Sequence, residues 1–186
     1  MDQRALVERA RRGDHEAFAQ LVDPSLARLD AAARLILRDP ELARDAIQEG
    51  LIRAWRDLAG LRDSDRFDAW LRRLTVNACL DLARRRRRRA IEVELSPIHA
   101  ATPDPSDGAA DRDLVDTALR RLDPGHRAVV AMHYLLGMPL TDVAASLGIP
   151  VGTAKSRLHY ALAAMRSSVD AEPTPAPSSV AGGQVA

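Results

Sequence analysis

The tripeptide Gly148-Ile149-Pro150 constrains this chain more than any other feature. It separates two short amphipathic segments, LTDVAASL and VGTAKSRLHYALAAM, within the stretch from Leu140 to Met165. Glycine accepts the left-handed backbone that closes a helix, and proline stops that helix from continuing. Thr141 is in position to cap the first segment, with Asp142 in its first turn, where the helix dipole favours an anion. Val143, Ala144 and Leu147 form its apolar face. In the second segment Ala154, Leu158, Ala161 (or Leu162) and Met165 fall three and four apart. An apolar Ile149 inside the corner predicts that the corner is buried. Thr153, Lys155, Ser156, Arg157 and His159 occupy the other face of the second segment. This is the pattern of a helix-turn-helix, whose second helix enters the major groove of DNA. Lys155 and Arg157 have the reach for phosphate or guanine, and Thr153 and Ser156 can donate to either. A helical hairpin with a solvated polar face has the same spacing, so spacing alone leaves both readings open.

The rest of the chain shows helical periodicity throughout. Leu6, Val7 and Ala10 mark a first helix over residues 3–12, ended by Gly13; Asp14 is placed to cap a second, with Ala17, Phe18, Leu21 and Val22 inward. Pro24 is expected to interrupt it and open a third, running to about Arg38. After Asp39-Pro40, the spacing predicts a helix from about Glu41 to Leu58 with Leu42, Ile47, Leu51, Trp55 and Leu58 on one face. Leu58 to Phe67 is expected to be a loop, with Ser64 or Asp65 capping a long helix that ends in the arginines Arg84 to Arg89. Phe67, Trp70, Leu71, Leu74, Ala78 and Leu82 point inward there, with Cys79 near them as a small hydrophobe. From Glu92 to Asp111 prolines, serine and glycine replace the helical period, which predicts a linker. Helices resume near Asp113, Pro124 opens another that ends at Gly137, and the tail after Ser167 has too little apolar content to fold alone. The expected fold is all-α: two small helical domains, residues 1–90 and 113–167, joined by a flexible acidic linker at 91–112 and followed by a disordered tail at 168–186.

Net charge is only +1, but it is the sum of unlike parts. Residues 1–90 carry 20 basic and 15 acidic side chains, residues 91–113 carry 1 and 6, and residues 114–167 carry 6 and 3. Two basic blocks with an acidic strap between them suit two nucleic-acid contacts. The run of six arginines is either a solvated tail or a phosphate-binding helix end. No phosphate-binding glycine loop, Ser-His-Asp set or metal-ligand motif is present, so neither catalysis nor a bound cofactor or metal is expected. The single cysteine excludes an internal disulfide, and the charged N-terminal segment and lack of a long apolar span point to the cytoplasm. Asp45, Gln48 and Glu49 lie three and four apart on one helix face, either in local ion pairs or as a docking face for another protein.

Four motifs in order carry a family resemblance: GDHEAFAQLV; DPELARDAIQEGLIRAW; FDAWLRRLTVNACLDLARRRRR; and LRRLDPGHRAVVAMHYLLGMPLTDVAASLGIPVGTAKSRLHYALAAMR. Over about Arg4 to Arg166 the chain resembles bacterial sigma factors of the extracytoplasmic-function (ECF) group, which direct RNA polymerase to promoters. The resemblance implies a binding protein that reads −10 and −35 elements. Asp45, Gln48 and Glu49 would lie on the clamp helices of the polymerase's largest subunit. The loop Leu58–Phe67, including Arg62, and Asn77 would face a flipped −10 base, with Arg84 and Arg85 along promoter phosphates. Thr153, Lys155, Ser156, Arg157 and His159 would enter the −35 major groove. The chain departs from the family at His159-Tyr160, where many relatives carry an aromatic residue followed by arginine. The implied partners are core RNA polymerase through those clamp helices and the flap, promoter DNA, and the anti-sigma factor usual in the group, without membrane insertion. The acidic linker would thread near the RNA exit path. A stand-alone dimeric helix-turn-helix regulator is the alternative, and it predicts a palindromic operator read without polymerase.

Overall fold

The computed structural model describes residues 2–94, 119–120 and 122–170. Residues 95–112 of the expected linker and 171–186 of the expected tail lie outside the described residues, as does the chain between 113 and 118; residues 91–94 and 168–170, expected as linker and tail, instead continue the helices before them. Among the described residues there are seven α-helices and no strand.

Helix α1 spans Gln3–Arg11 and is capped by Asp2, whose carboxylate accepts from the Arg4 N–H at 3.0 Å. Gly13, at φ +90°, turns the chain into Asp14, which accepts from the Ala17 N–H at 3.0 Å and opens α2. That N–H, with Arg9 beside it, holds the Asp14 carboxyl below its ordinary range. Helix α2 runs unbroken over His15–Leu37, with Pro24 inside it. The expected interruption does not occur. Leu21, Val22, Ser25 and Leu29, on both sides of the proline, are buried in the same core, and that packing outweighs the hydrogen bond a proline removes. Asp39 then caps α3, Pro40–Asp57, by accepting from the Glu41 and Leu42 N–H groups at 3.0 and 3.1 Å.

Helix α3 is centred on a different line from the one expected, although Leu58, just past its end, is fully buried as expected. Its innermost residues are Ala43, Ala46, Gly50 and Ala54, while Leu42, Ile47, Leu51 and Trp55 are half-buried at the flanks. Small residues on the contact line let α4, Phe67–Glu94, come close. The approach is tightest at Gly50, where an added Cβ would stand 3.0 Å from the Thr75 Cα. Between these helices, short 3-10 turns at Leu58–Gly60 and Ser64–Arg66 form the predicted loop. Its cap is Asp63, which accepts from the Asp65 N–H at 3.0 Å, rather than Ser64 or Asp65. Both phenylalanines and both tryptophans meet here: Phe18 lies edge-on to Trp55 (5.2 Å) and Phe67 (6.3 Å), and Phe67 neighbours Trp70 (6.1 Å). The scarce aromatics thus tie α2, α3 and α4 at one point. Burying a side chain such as Phe67 contributes about 2 kcal/mol or more. Cys79 is fully buried, and burial pushes its thiol up to about 12, so it packs as a hydrophobe.

The second bundle begins with Asp123, which accepts from the His126 N–H at 3.0 Å and caps α5, Pro124–Val130. Helix α5 widens into a π turn at Ala131–Leu135 before Gly137, at φ +65°, reverses the chain. Helix α6 is Leu140–Leu147 and α7 is Val151–Asp170. Thr141 does not cap α6; the helix starts a residue earlier, at Leu140, and Pro139 occupies the cap position with no side-chain bond. Gly148 takes φ +64° as expected, and Ile149 is half-buried in the corner. Ala154, Leu158 and Ala161 bury α7 against α5 and α6.

The two bundles share one continuous hydrophobic core. Arg127 of α5 is 8% exposed and donates from Nε to the Ile36 carbonyl at 2.7 Å, joining the second bundle to the end of α2. Arg72 of α4 donates to the Leu136 carbonyl at 3.0 Å.

Candidate nucleic-acid interface

Helix α4 carries the central stripe. Arg66, Trp70, Arg73, Asn77, Asp81 and Arg84 recur at helical spacing along one side of it and its leading turn, and all of them line two adjoining clefts. One cleft, of about 510 Å³, is bounded by Arg62, Asp63, Arg66, Trp70 and Arg73, with Met138, Asp142, Ala145 and Ser146 opposite. The next holds Arg73, Asn77, Asp81 and Arg84, with Arg53 behind and the corner at Leu147-Gly148 across from them. Arg62, Asn77 and Arg84, expected from sequence to act together, therefore line one continuous groove. Arg85 is exposed next to Arg84 but lines neither cleft. Arg73 and Trp70 were missed. Arg73 stands four residues before Asn77, and that spacing was the available signal.

The loop bounding the first cleft is held from behind by α1. Gln3 donates to the Ser64 carbonyl at 2.7 Å, Arg4 Nε to Asp65 at 2.8 Å, and Arg11 to the Leu61 carbonyl. The Arg4 guanidinium draws the Asp65 carboxyl below its ordinary range, and Asp65 in turn raises Arg4. Both are exposed, so the pair orients the loop more than it stabilises the fold.

On α3, Asp45 and Gln48 are exposed, as is Ile52, at 60%. Glu49 is half-buried and accepts from Arg53 Nε at 2.8 Å, so this face is not wholly free of work within the chain. Arg53 is raised above its ordinary value by Glu49, against the opposing effect of burial, and then by Asp81. Lys155, Ser156 and His159 are exposed on α7, while Thr153 and Arg157 are half-buried. Ser156 Oγ donates back to the Thr153 carbonyl at 3.0 Å. The Arg157 guanidinium leans toward Gly125, with Nη1 3.2 Å from where a Cβ would be. Tyr160 is exposed and its ring meets that of His126 at 5.0 Å.

The described surface thus combines a basic groove beside a helix-turn-helix with a polar helix face on α3. Two family models match in the corresponding order, sigma-70 region 2 over residues 21–89 and sigma-70 region 4 over residues 112–165. The RNA polymerase sigma-E factor of Streptomyces avermitilis is 33% identical over 158 residues, covering 85% of this chain and 88% of that protein. The chain belongs to the ECF sigma factors. The ECF RNA polymerase sigma factor SigL of Mycobacterium tuberculosis is 37% identical over 150 residues, 78% of this chain and 85% of that protein. Among solved structures, CnrH in complex with the cytosolic domain of CnrY matches with a TM-score of 0.66 and 32% identity, covering 92% of this chain and all of that one. The sigma factor RpoE of Bartonella quintana, in complex with the anti-sigma factor NepR, shares the fold at a TM-score of 0.67 and 24% identity, over 84% of this sigma factor and 98% of that chain. No helix among the described residues is long and apolar enough to cross a membrane.

Proposed function

We propose that this sigma factor binds core RNA polymerase and directs initiation at promoters by reading a −10 element with the first bundle and a −35 element with the second. It acts in the cytoplasm by binding and performs no catalysis of its own. The stripe on α4 is the observation that carries this reading: Arg73, Asn77 and Arg84 offer a base-pairing amide between cations, the chemistry that holds an unpaired base and its phosphates. Arg62 and Trp70 extend the groove toward the loop, where an aromatic face and a cation suit a base taken out of the stack. On α7, Lys155, Arg157 and Ser156 face the major groove, with Thr153 and His159 beside them. Asp45, Gln48 and Glu49 dock on the polymerase clamp, and the flap meets the second bundle. An anti-sigma factor is a further partner, a reading supported by the sigma factor RpoE, of the same fold, having been solved with the anti-sigma factor NepR.

In the described arrangement α6 lies across the α4 groove. Promoter engagement by both bundles therefore requires them to part, and docking on polymerase supplies the binding energy for it.

Two substitutions test the assignments. Glu49→Ala is expected to weaken binding to core polymerase roughly tenfold, the loss of a charge-assisted hydrogen bond. Competition for core against a labelled sigma factor measures it, and unchanged affinity would remove Glu49 from the docking face. Arg157→Ala is expected to reduce initiation from promoters with a −35 element by roughly ten- to a hundredfold, one base or phosphate contact, while core binding stays the same. An equal loss on templates lacking a −35 element would point to a folding defect.

A further inference from the structure

Four charged groups form an unbroken chain across the seam between α3 and α4. Arg53 Nε donates to Glu49 at 2.8 Å, Arg53 Nη1 reaches Asp81 Oδ2 at 3.1 Å, and Asp81 Oδ1 faces Arg84 Nη1 at 3.3 Å. The middle of the chain is packed and its ends are wet: the side chains of Arg53 and Asp81 are 20% and 32% exposed, those of Glu49 and Arg84 44% and 67%. A staple between two helices needs one ion pair. Here Arg53 divides its donors between two carboxylates, and Asp81 divides its two oxygens between two arginines. Each pairing competes with its neighbour, because a group whose charge is already partly neutralised by one partner attracts a second less strongly.

We infer that Arg53 is a positioning residue that couples the outer face of α3 to the basic groove on α4. When a cation from outside engages Glu49, Arg53 turns more fully onto Asp81, and Asp81 loosens its hold on Arg84. Arg84 then meets a nucleic-acid phosphate without first breaking an ion pair. The same linkage runs backward with equal strength: phosphate on Arg84 returns Asp81 to Arg53 and leaves Glu49 more available. This makes the sigma factor a better DNA ligand on polymerase than off it, through side chains that never touch both partners. The inference rests on the assignment of Glu49 to the docking face and Arg84 to the DNA face.

The test uses the full chain without polymerase, in which the Arg84 side chain is already 67% exposed and open to an oligonucleotide before the bundles part, so it fails or succeeds separately from the docking assignment. Glu49→Gln imitates an engaged Glu49 by removing its charge. Binding of a short fluorescent single-stranded oligonucleotide, followed by anisotropy over a salt series, is expected to tighten roughly two- to fivefold, the range of one exposed ion pair. The salt dependence steepens by about one released ion. Glu16→Gln removes the same charge from an exposed position on α2 and is expected to leave binding unchanged. In an Arg53→Met background the gain from Glu49→Gln disappears. If Arg53→Met does not fold, Arg53→Lys keeps the charge but loses the fork that spans both carboxylates, and serves in its place. Asp81→Asn is expected to reproduce the tighter binding directly. If Glu49→Gln binds no better than Glu16→Gln, or if its gain survives in the Arg53 variant, the effect is net charge alone and the coupling is wrong.

Discussion

Arg127→Met is expected to destabilise the chain by about 3 kcal/mol and to split its urea unfolding into two transitions. The guanidinium is buried and, among the described residues, donates to main-chain carbonyls: Ile36 at 2.7 Å, Leu122 at 2.9 Å and Leu119 at 3.2 Å. Burial lowers its pKa, with Arg38 adding to the effect and Asp123 opposing it, so the charge is held at a cost. Its benefit lies in the acceptors. Ile36 is in the last turn of α2, where carbonyls lack helical partners and the dipole is negative. Leu119 and Leu122 precede α5. Methionine refills most of the volume but leaves these carbonyls buried and unpaired, each costing about 1–3 kcal/mol, partly offset by removal of the buried cation. Because Ile36 belongs to the first bundle while Arg127 and the lead-in at Leu119 and Leu122 belong with the second, the loss uncouples the two. Arg127→Lys should recover only part of the stability, since one ammonium cannot span the three acceptors. A single transition at the parental midpoint would contradict this role.

Gly50→Leu is expected to abolish the close packing of α3 on α4 and with it both core binding and −10 recognition. A Cβ at residue 50 would stand 2.9 Å from Thr75 Oγ1 and 3.0 Å from the Thr75 Cα. The hydroxyl is fixed by donating to the Leu71 carbonyl at 3.1 Å, and the Cα is main chain, so neither yields without moving the helix. Even Gly50→Ala should cost about 1–3 kcal/mol by overpacking, more than the roughly 1 kcal/mol that alanine returns in helix propensity. Leucine drives the helices further apart and separates Arg53 from Asp81. Thermal melts of both variants, with core competition and oligonucleotide binding, measure the effect. A Gly50→Ala protein more stable than its parent would show that α4 gives way easily.

What the sequence reveals and what it hides divides along physical lines. The corner at Gly148 was legible because a left-handed closing residue followed by proline has few other uses, and Asp14 because capping is local. Pro24 misled because its effect on α2 depends on core partners that a local reading does not see. Thr141 misled because it lies one residue inside a helix that starts at Leu140. On α3 the large apolar residues suggested a contact line that the alanines and Gly50 in fact form, since close approach selects small side chains. In the candidate site, the arginine run that includes Arg84 was open to reading as a phosphate-binding helix end, Asn77 came only through the family resemblance, and Arg73 could have been found by counting turns from Asn77. The ties from Arg53 to Asp81 and from Arg127 to Ile36 join positions far apart in sequence, and no local pattern announces them. Nor does any pattern show that α6 lies across the α4 groove.

The central claim is promoter-directed initiation by this sigma factor on core polymerase. Run-off transcription with purified core polymerase, the full chain and a library of promoter fragments tests it most directly. The expected result is initiation that requires the chain and selects templates by paired −10 and −35 sequences, falling when either element is altered. Absence of initiation, together with tight binding of the chain alone to a palindromic duplex, would contradict it and favour a stand-alone dimeric regulator.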